Sequence, residues 1–277
     1  MSSGQLKDLS RLCIHTITTK PWEIETAVEQ YAAEGVPAIS VWREALCGRD
    51  PRRTGERIRA AGLAVVALVR GGFFPSVSAG KRKEALAENE RALHEAAALG
   101  APLLVLVPGA DPRQPPETSR QQIREGIAAL LPLAEETGVR LAIEPLHPMY
   151  ADTRSAVNTL AQANDMAEYF ASPWVGVAVD VYHLWWDPDL EREIARCGAH
   201  DNLFAFHICD WRVPTTDLLN DRGLMGEGCI PVRQIRGWVE EAGFTGYHEV
   251  EIFSDRYWAE DQKSFLRKIK KVYLEHS

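Results

Sequence analysis

Residues 124–146, "REGIAALLPLAEETGVRLAIEPL", contain one complete helix-to-strand unit. The first part alternates polar and apolar side chains at helical spacing and stops on Gly138. Glycine suits the left-handed residue that closes a helix. The second part, "VRLAIEPL", is a short apolar run that reads as a buried strand, yet it carries a carboxylate, Glu144, near its end. Burying a lone carboxylate is costly unless something positive meets it.

The same unit recurs along the chain. Strand-like runs appear as "RLCIHTIT", "AISVW", "LAVVALVR", "PLLVLVP", "VRLAIEPL", "VGVAVDV", "LFAFHICD" and "YHEVEIF". Amphipathic segments such as "PWEIETAVEQYAAEG" and "RQIRGWVEEAG" lie between them, several closing on a glycine (Gly35, Gly62, Gly100, Gly138, Gly243). Strict alternation of strand and helix implies parallel strands joined by right-handed crossovers. Eight units of roughly 35 residues match a (β/α)8 TIM barrel. A doubly wound open sheet seldom needs eight units, and no GxGxxG follows the first strand. The expected fold class is therefore α/β, a single TIM barrel domain spanning residues 1–277. The longest irregular stretch, Asp210 to Pro231, comes after strand seven and so belongs to the C-terminal face, where barrel enzymes keep their active sites.

Composition narrows the function. The formal net charge is −8, which argues against a nucleic-acid backbone as partner. No run approaches the length of apolar residues needed to cross a membrane. The start of the chain, "MSSGQLKDLS", lacks a charged-then-apolar leader, so the expectation is a cytoplasmic protein. Five cysteines without CxxC spacing read as reduced thiols rather than a disulfide or zinc framework.

Side chains on a barrel strand alternate between the interior and the helical shell. In "VGVAVD" this puts Val175, Val177 and Val179 on one face, and Gly176, Ala178 and Asp180 on the other. The inward count continues with Glu144 beside Ala142, with His207 beside Ala205 and Leu203, and with Glu249 and Glu251 together. Strands five to eight thus each end in one candidate ligand: Glu144, Asp180, His207 and Glu251. Three carboxylates and one imidazole with open positions suit a divalent cation such as manganese, cobalt, magnesium or zinc.

The spaced motifs "IEP", "VDVYH", "FHICDWR" and "EVEIF" resemble the xylose-isomerase-like family of sugar isomerase and epimerase barrels across nearly the whole chain. The resemblance implies one divalent ion, manganese foremost, held by Glu144, Asp180, His207 and Glu251. It also implies that Glu144 and Glu251 serve as the acid–base pair and that His183 contacts substrate oxygens in the reaction. Arg212 resembles a substrate-binding arginine after strand seven. One departure stands out: where ketose 3-epimerases carry a second glutamate six residues after the strand-five ligand, this chain has Tyr150.

The expected activity is α-proton abstraction from a small sugar or sugar derivative, with the enediolate stabilised by the ion. A lyase on the same scaffold, an inosose-type dehydratase or a keto-glycoside or C-glycoside eliminase, shares the first half-reaction and is the alternative. Tyr150 leans toward it as a proton donor to a leaving oxygen. An apurinic endonuclease would need more converging histidines than the eight present. A non-catalytic sugar-binding barrel would not need two opposed glutamates. Further candidates are Trp211 and the neighbouring Trp42, Trp185 and Trp186 as pocket walls, His147 in a polar role, and Arg70 as an anion contact. His15 ends strand one in a register expected to face the shell, and "GEG" with Glu227 reads as either a lid or a plain turn. The expected partner is a small sugar-derived substrate, with neither nucleic acid nor membrane. The resemblance also allows a homo-oligomer, though no interface is visible in the sequence.

Overall fold

Eight parallel strands close on one another in chain order: β1 (Leu12–His15), β2 (Ala38–Trp42), β3 (Ala64–Gly72), β4 (Leu103–Val107), β5 (Arg140–Ile143), β6 (Val175–Asp180), β7 (Leu203–Ile208) and β8 (His248–Val250). β8 pairs with β1, so the sheet has no free edge. The computed structural model describes residues 4–277. It shows the TIM barrel that the alternation implied. Among the described residues no helix is long and apolar enough to cross a membrane.

The helix of the opening stretch runs from Pro116 to Thr137, with proline at its first position and Gly138 closing it at φ +69°. The other four helix-ending glycines also adopt positive φ. Helix Ala79–Leu99 begins on Ser78, whose side chain accepts from Lys81 N–H. That contact satisfies one of the N–H groups a helix start leaves open.

Two apolar layers result. Leu12, Ile14, Val175, Val177 and Val179 pack outward against the helices, while Ala67, Val69, Leu103, Val105, Ala142, Ala178 and Ala205 fill the barrel. The valine face of β6 is therefore the shell face, as alternation required, and Asp180 points inward. β7 departs from the count. Its pairing with β6 slips between Val177 and Ala178, so that Val177 opposes Leu203 and Ala178 opposes Ala205. The irregularity sends Leu203 to the outer layer and Phe204 to the interior. Gly176 makes room for it: a Cβ there would lie 2.6 Å from the Phe204 ring. The Arg140 guanidinium stacks on the same ring, 4.4 Å from its centre.

After β7 the chain forms a small antiparallel ribbon, Asp210–Trp211 against Arg222–Gly223. The Asp210 carboxylate organises the end of this connection, accepting the backbone N–H groups of Gly226, Gly228 and Ile230, each at 2.9 Å. Asp221 accepts from Thr216 N–H and binds Arg212. The long connection is thus a hydrogen-bonded structure rather than open coil.

Candidate metal centre at the barrel mouth

Glu144, Asp180, His207 and Glu251 converge at the C-terminal ends of β5 to β8. One donor atom from each lies within 4.8 Å of every other, and all four side chains are buried. Their positions come from the strand register: Glu144 N–H is held by Leu106 O, and Glu251 N–H by Ile208 O, so each carboxylate extends the inward row of its strand.

The polar atoms in this cluster are incompletely paired. Glu144 Oε1 and both ring nitrogens of His207 are buried without an aligned hydrogen bond, although Glu144 Oε1 lies only 2.9 Å from His207 Nδ1. Buried polar groups are normally satisfied. Donor atoms this close and this poorly paired fit a divalent cation, and three carboxylate oxygens with one imidazole suit manganese, magnesium, cobalt or zinc.

Electrostatics support the same reading. Burial works against charge on His207, but the surrounding glutamates, Glu144 foremost, push its pKa up to about 10. Burial raises Asp180 to about 7 against the pull of Arg222. Burial would also raise Glu251, but His15 and Arg222 hold it below the usual carboxylate range. The cluster is rich in negative charge and draws on whatever positive groups lie near.

One such group is Arg222, which the sequence did not single out. Its Nη1 donates to Asp180 Oδ2 at 3.2 Å and to Glu251 Oε2 at 2.9 Å, and its guanidinium lies 4.4 Å from the Tyr182 ring centre. Nη2 lies 3.3 Å from His183 Nε2. Arginine has no acceptor, so His183 Nε2 must accept and Nδ1 must carry the hydrogen. That Nδ1 is buried and unpartnered. Burial, with Arg222, pushes the His183 pKa well below its ordinary value, keeping the ring neutral.

Arg212 is not drawn into the cluster. Its guanidinium pairs with Asp221 within the loop, whereas Arg222, ten residues on, lies against Asp180 and Glu251. The cause is the ribbon, which returns Arg222 to the mouth beside Trp211, and no local sequence pattern signals that pairing. His15 corrects a second expectation. Leu12 and Ile14 face the shell, so Cys13 and His15 face the barrel. His15 lies against both Glu249 and Glu251.

The aromatic residues form a wall beside the cluster. Trp211 stacks on Tyr182 at 4.7 Å and lies 5.1 Å from the His147 ring and 5.7 Å from that of Trp185. Trp186 packs edge-on to His147. Trp42 packs on Phe253 and its indole N–H reaches His15. Arg70 stacks on Phe73 and Trp42. Burial lowers its pKa, while the Glu44 and Glu144 carboxylates favour its charge. Tyr150 borders His183 at 5.8 Å, but its hydroxyl is committed, donating to Leu218 O at 2.5 Å. Glu227 is bound by Leu224 N–H and the Tyr257 hydroxyl, which makes "GEG" a structural turn.

Fold and site together define a (β/α)8 protein with a cluster of metal-ligating side chains at its C-terminal face. More particularly, the model of the xylose isomerase-like TIM barrel family matches residues 26–269, and the chain belongs to that family. It is 25% identical over 218 residues to an inosose isomerase of Halalkalibacterium halodurans, covering 77% of this chain and 74% of that protein. Protein SMc04130 of Sinorhizobium meliloti superposes with a TM-score of 0.94 at 45% identity, over 97% of this chain and 99% of the other. The IolI protein, solved with a zinc atom bound, superposes at 0.83 with 22% identity over 96% and 97% of the two chains, a likeness of fold.

Proposed function

We propose that this chain is a divalent-metal-dependent isomerase or epimerase of a small polyhydroxy ketone. The observation that carries the reading is the convergence of Glu144, Asp180, His207 and Glu251 within 4.8 Å, with Glu144 Oε1 and both His207 ring nitrogens unpaired. The inosose isomerase relatives support a cyclic polyol ketone as the first substrate class to try, ahead of open-chain ketoses. A divalent ion held by the four residues, manganese by our reading, would supply Lewis-acid polarisation of a carbonyl and so acidify the neighbouring C–H.

The protein's own groups supply the rest. Glu144 and Glu251 stand on β5 and β8, with β6 and β7 between them in the ring of strands. Two carboxylates on different sides of a substrate can remove a proton from one position and return it at another. Return to the opposite face of the same carbon gives an epimer, and return to the adjacent carbon gives an isomer. Neutral His183 offers its free Nδ1–H to a substrate oxygen. Arg222 adds fixed positive charge and holds the Asp180 and Glu251 carboxylates in place. Trp211, Trp186 and His147 provide flat surfaces for the carbon face of a polyol ring. Arg70 offers a further cation to substrate oxygens. The substrate is a small molecule, and neither nucleic acid nor membrane enters the reading.

The test is proton NMR in D₂O. Manganese-reconstituted protein is incubated with inososes, common ketoses, hydroxypyruvate and 3-keto-glycosides, and stripped of metal before spectra are taken. Metal-dependent loss of an α-proton signal together with an isomeric product is expected. Exchange with an enone or a released aglycone would replace the isomerase by the lyase. Absence of exchange across the panel in a protein that binds manganese would overturn the proton-abstraction reading.

A further inference from the structure

Beneath the ligand cluster lies a second buried polar group that metal binding by itself does not require. Glu249 is 1% exposed and two residues from Glu251 on the same inward face of β8. Its Oε2 accepts from Ser40 Oγ at 2.5 Å and lies 3.0 Å from His15 Nε2. The other ring nitrogen of His15, Nδ1, lies 3.0 Å from Glu251 Oε1 and 3.2 Å from the Trp42 indole nitrogen. The His15 ring also meets His207 edge-on, with centres 4.7 Å apart. Cys13 Sγ, 3.4 Å from Ser40 Oγ, completes the row.

We infer that His15, anchored by Glu249, is a positioning residue that fixes the carboxylate of Glu251 and the ring plane of His207. This rests on the reading of those two side chains as metal ligands. A glutamate has three rotatable side-chain torsions, and a ligand oxygen must be held to a fraction of an ångström to be useful. Oε2 of Glu251 is fixed by Arg222. Oε1 has His15 Nδ1 as its contact, and His15 is itself held at Nε2 by Glu249. Three strands, β8, β1 and β2, and the ribbon after β7 therefore share the setting of one carboxylate. The cost of burying a further acid at Glu249 is met by its hydrogen bonds to Ser40 and His15.

Loss of an outer residue that orients a ligand typically weakens metal binding by about 10- to 100-fold. The test is calorimetric titration of the full-length protein with manganese chloride. The expected result for His15→Phe is a Kd raised by that range in a protein that still shows the wild-type circular dichroism spectrum. His15→Gln, which retains a nitrogen able to reach Glu249, recovers part of the affinity. Glu249→Gln, nearly isosteric, weakens binding in the same direction and serves if His15→Phe does not fold. A merely structural role would lower the melting temperature of the metal-free variants and leave Kd at the wild-type value, which would overturn the inference. Failure of the wild-type protein to bind manganese would overturn the metal reading and the inference with it, and is distinguishable because it appears before any substitution is made.

Discussion

Glu144 Oε1 and His207 Nδ1 lie 2.9 Å apart on neighbouring sides of the barrel mouth, yet no hydrogen bond is aligned between them. Both residues face the space that Asp180 and Glu251 also face. Arg222 and a proton on His207 supply part of the positive charge this cluster needs, and a cation would supply the rest. Manganese at about 100 times its Kd should therefore add about 2.7 kcal/mol to stability, read as a rise in melting temperature. The chelator-treated protein should show none of that rise. His207→Ala should respond to manganese far less than wild type, and an undiminished response would place the binding elsewhere.

Glu144→Gln and Glu251→Gln each keep side-chain volume while removing a base. Loss of a positioned acid–base group costs about 100- to 10,000-fold. Each variant should lose net conversion to that extent in a metal-saturated protein. Because the two residues act from β5 and β8, epimerisation requires both, but exchange without net conversion requires only one. A variant that still exchanges solvent deuterium while making no product would assign its missing glutamate to the return of the proton. Wild-type turnover in either variant would remove that residue from the chemistry.

The physics of the strands explains why the sequence disclosed the cluster and missed its surroundings. Alternation of period two is a local property, so Val175, Val177 and Val179 predict the inward direction of Asp180 without knowledge of any neighbour. Glu144, His207 and Glu251 obey the same rule. The rule fails at Leu203 and Phe204 because the slipped pairing with β6 adds a residue to β7 ahead of Ala205. At His15 a count begun one residue out inverts the direction, since β1 is too short for its apolar residues to fix which face is buried in the shell. Arg222 was out of reach for another reason: its place depends on the ribbon with Trp211, a pairing across a loop whose residues carry no periodicity. Glu249 was visible as a neighbour of Glu251, but its bonds to Ser40 and His15 cross from β8 to β1 and β2, which only closure of the barrel brings together.

Tyr150 reads from the sequence as a candidate proton donor, and its hydroxyl is spent on the loop. It donates to Leu218 O, which also receives the Tyr182 hydroxyl at 3.2 Å. Burial raises its pKa, so the group stays protonated at neutral pH. Tyr150→Phe should remove one hydrogen bond, costing about 0.5–1.5 kcal/mol in unfolding free energy. It should leave the rate of α-proton exchange at the wild-type value. A collapse of turnover with folding intact would make the hydroxyl a proton donor in the reaction and favour the lyase.

At the opposite end of the barrel, Glu240 links three basic groups. It binds Arg11 Nη1 at 2.9 Å and Arg236 Nη1 at 2.8 Å, and lies 3.4 Å from His248 Nε2. His248 foremost, then Arg236, lower its pKa to about 2 against the opposing effect of burial. Its folded value is thus below its ordinary 4.5. A depressed carboxyl contributes stability that is fully present above the unfolded pKa and is lost as pH falls through the folded one. The contribution is therefore complete at neutral pH and shrinks between about 4.5 and 2. Glu240 is 28% exposed, so solvent screening keeps the effect modest. Urea unfolding of wild type and Glu240→Gln should show the variant weaker at pH 7, with the two midpoints approaching one another as the pH is lowered below 4.5. A gap that stays constant with pH would mean that Glu240 stabilises by packing and not by charge.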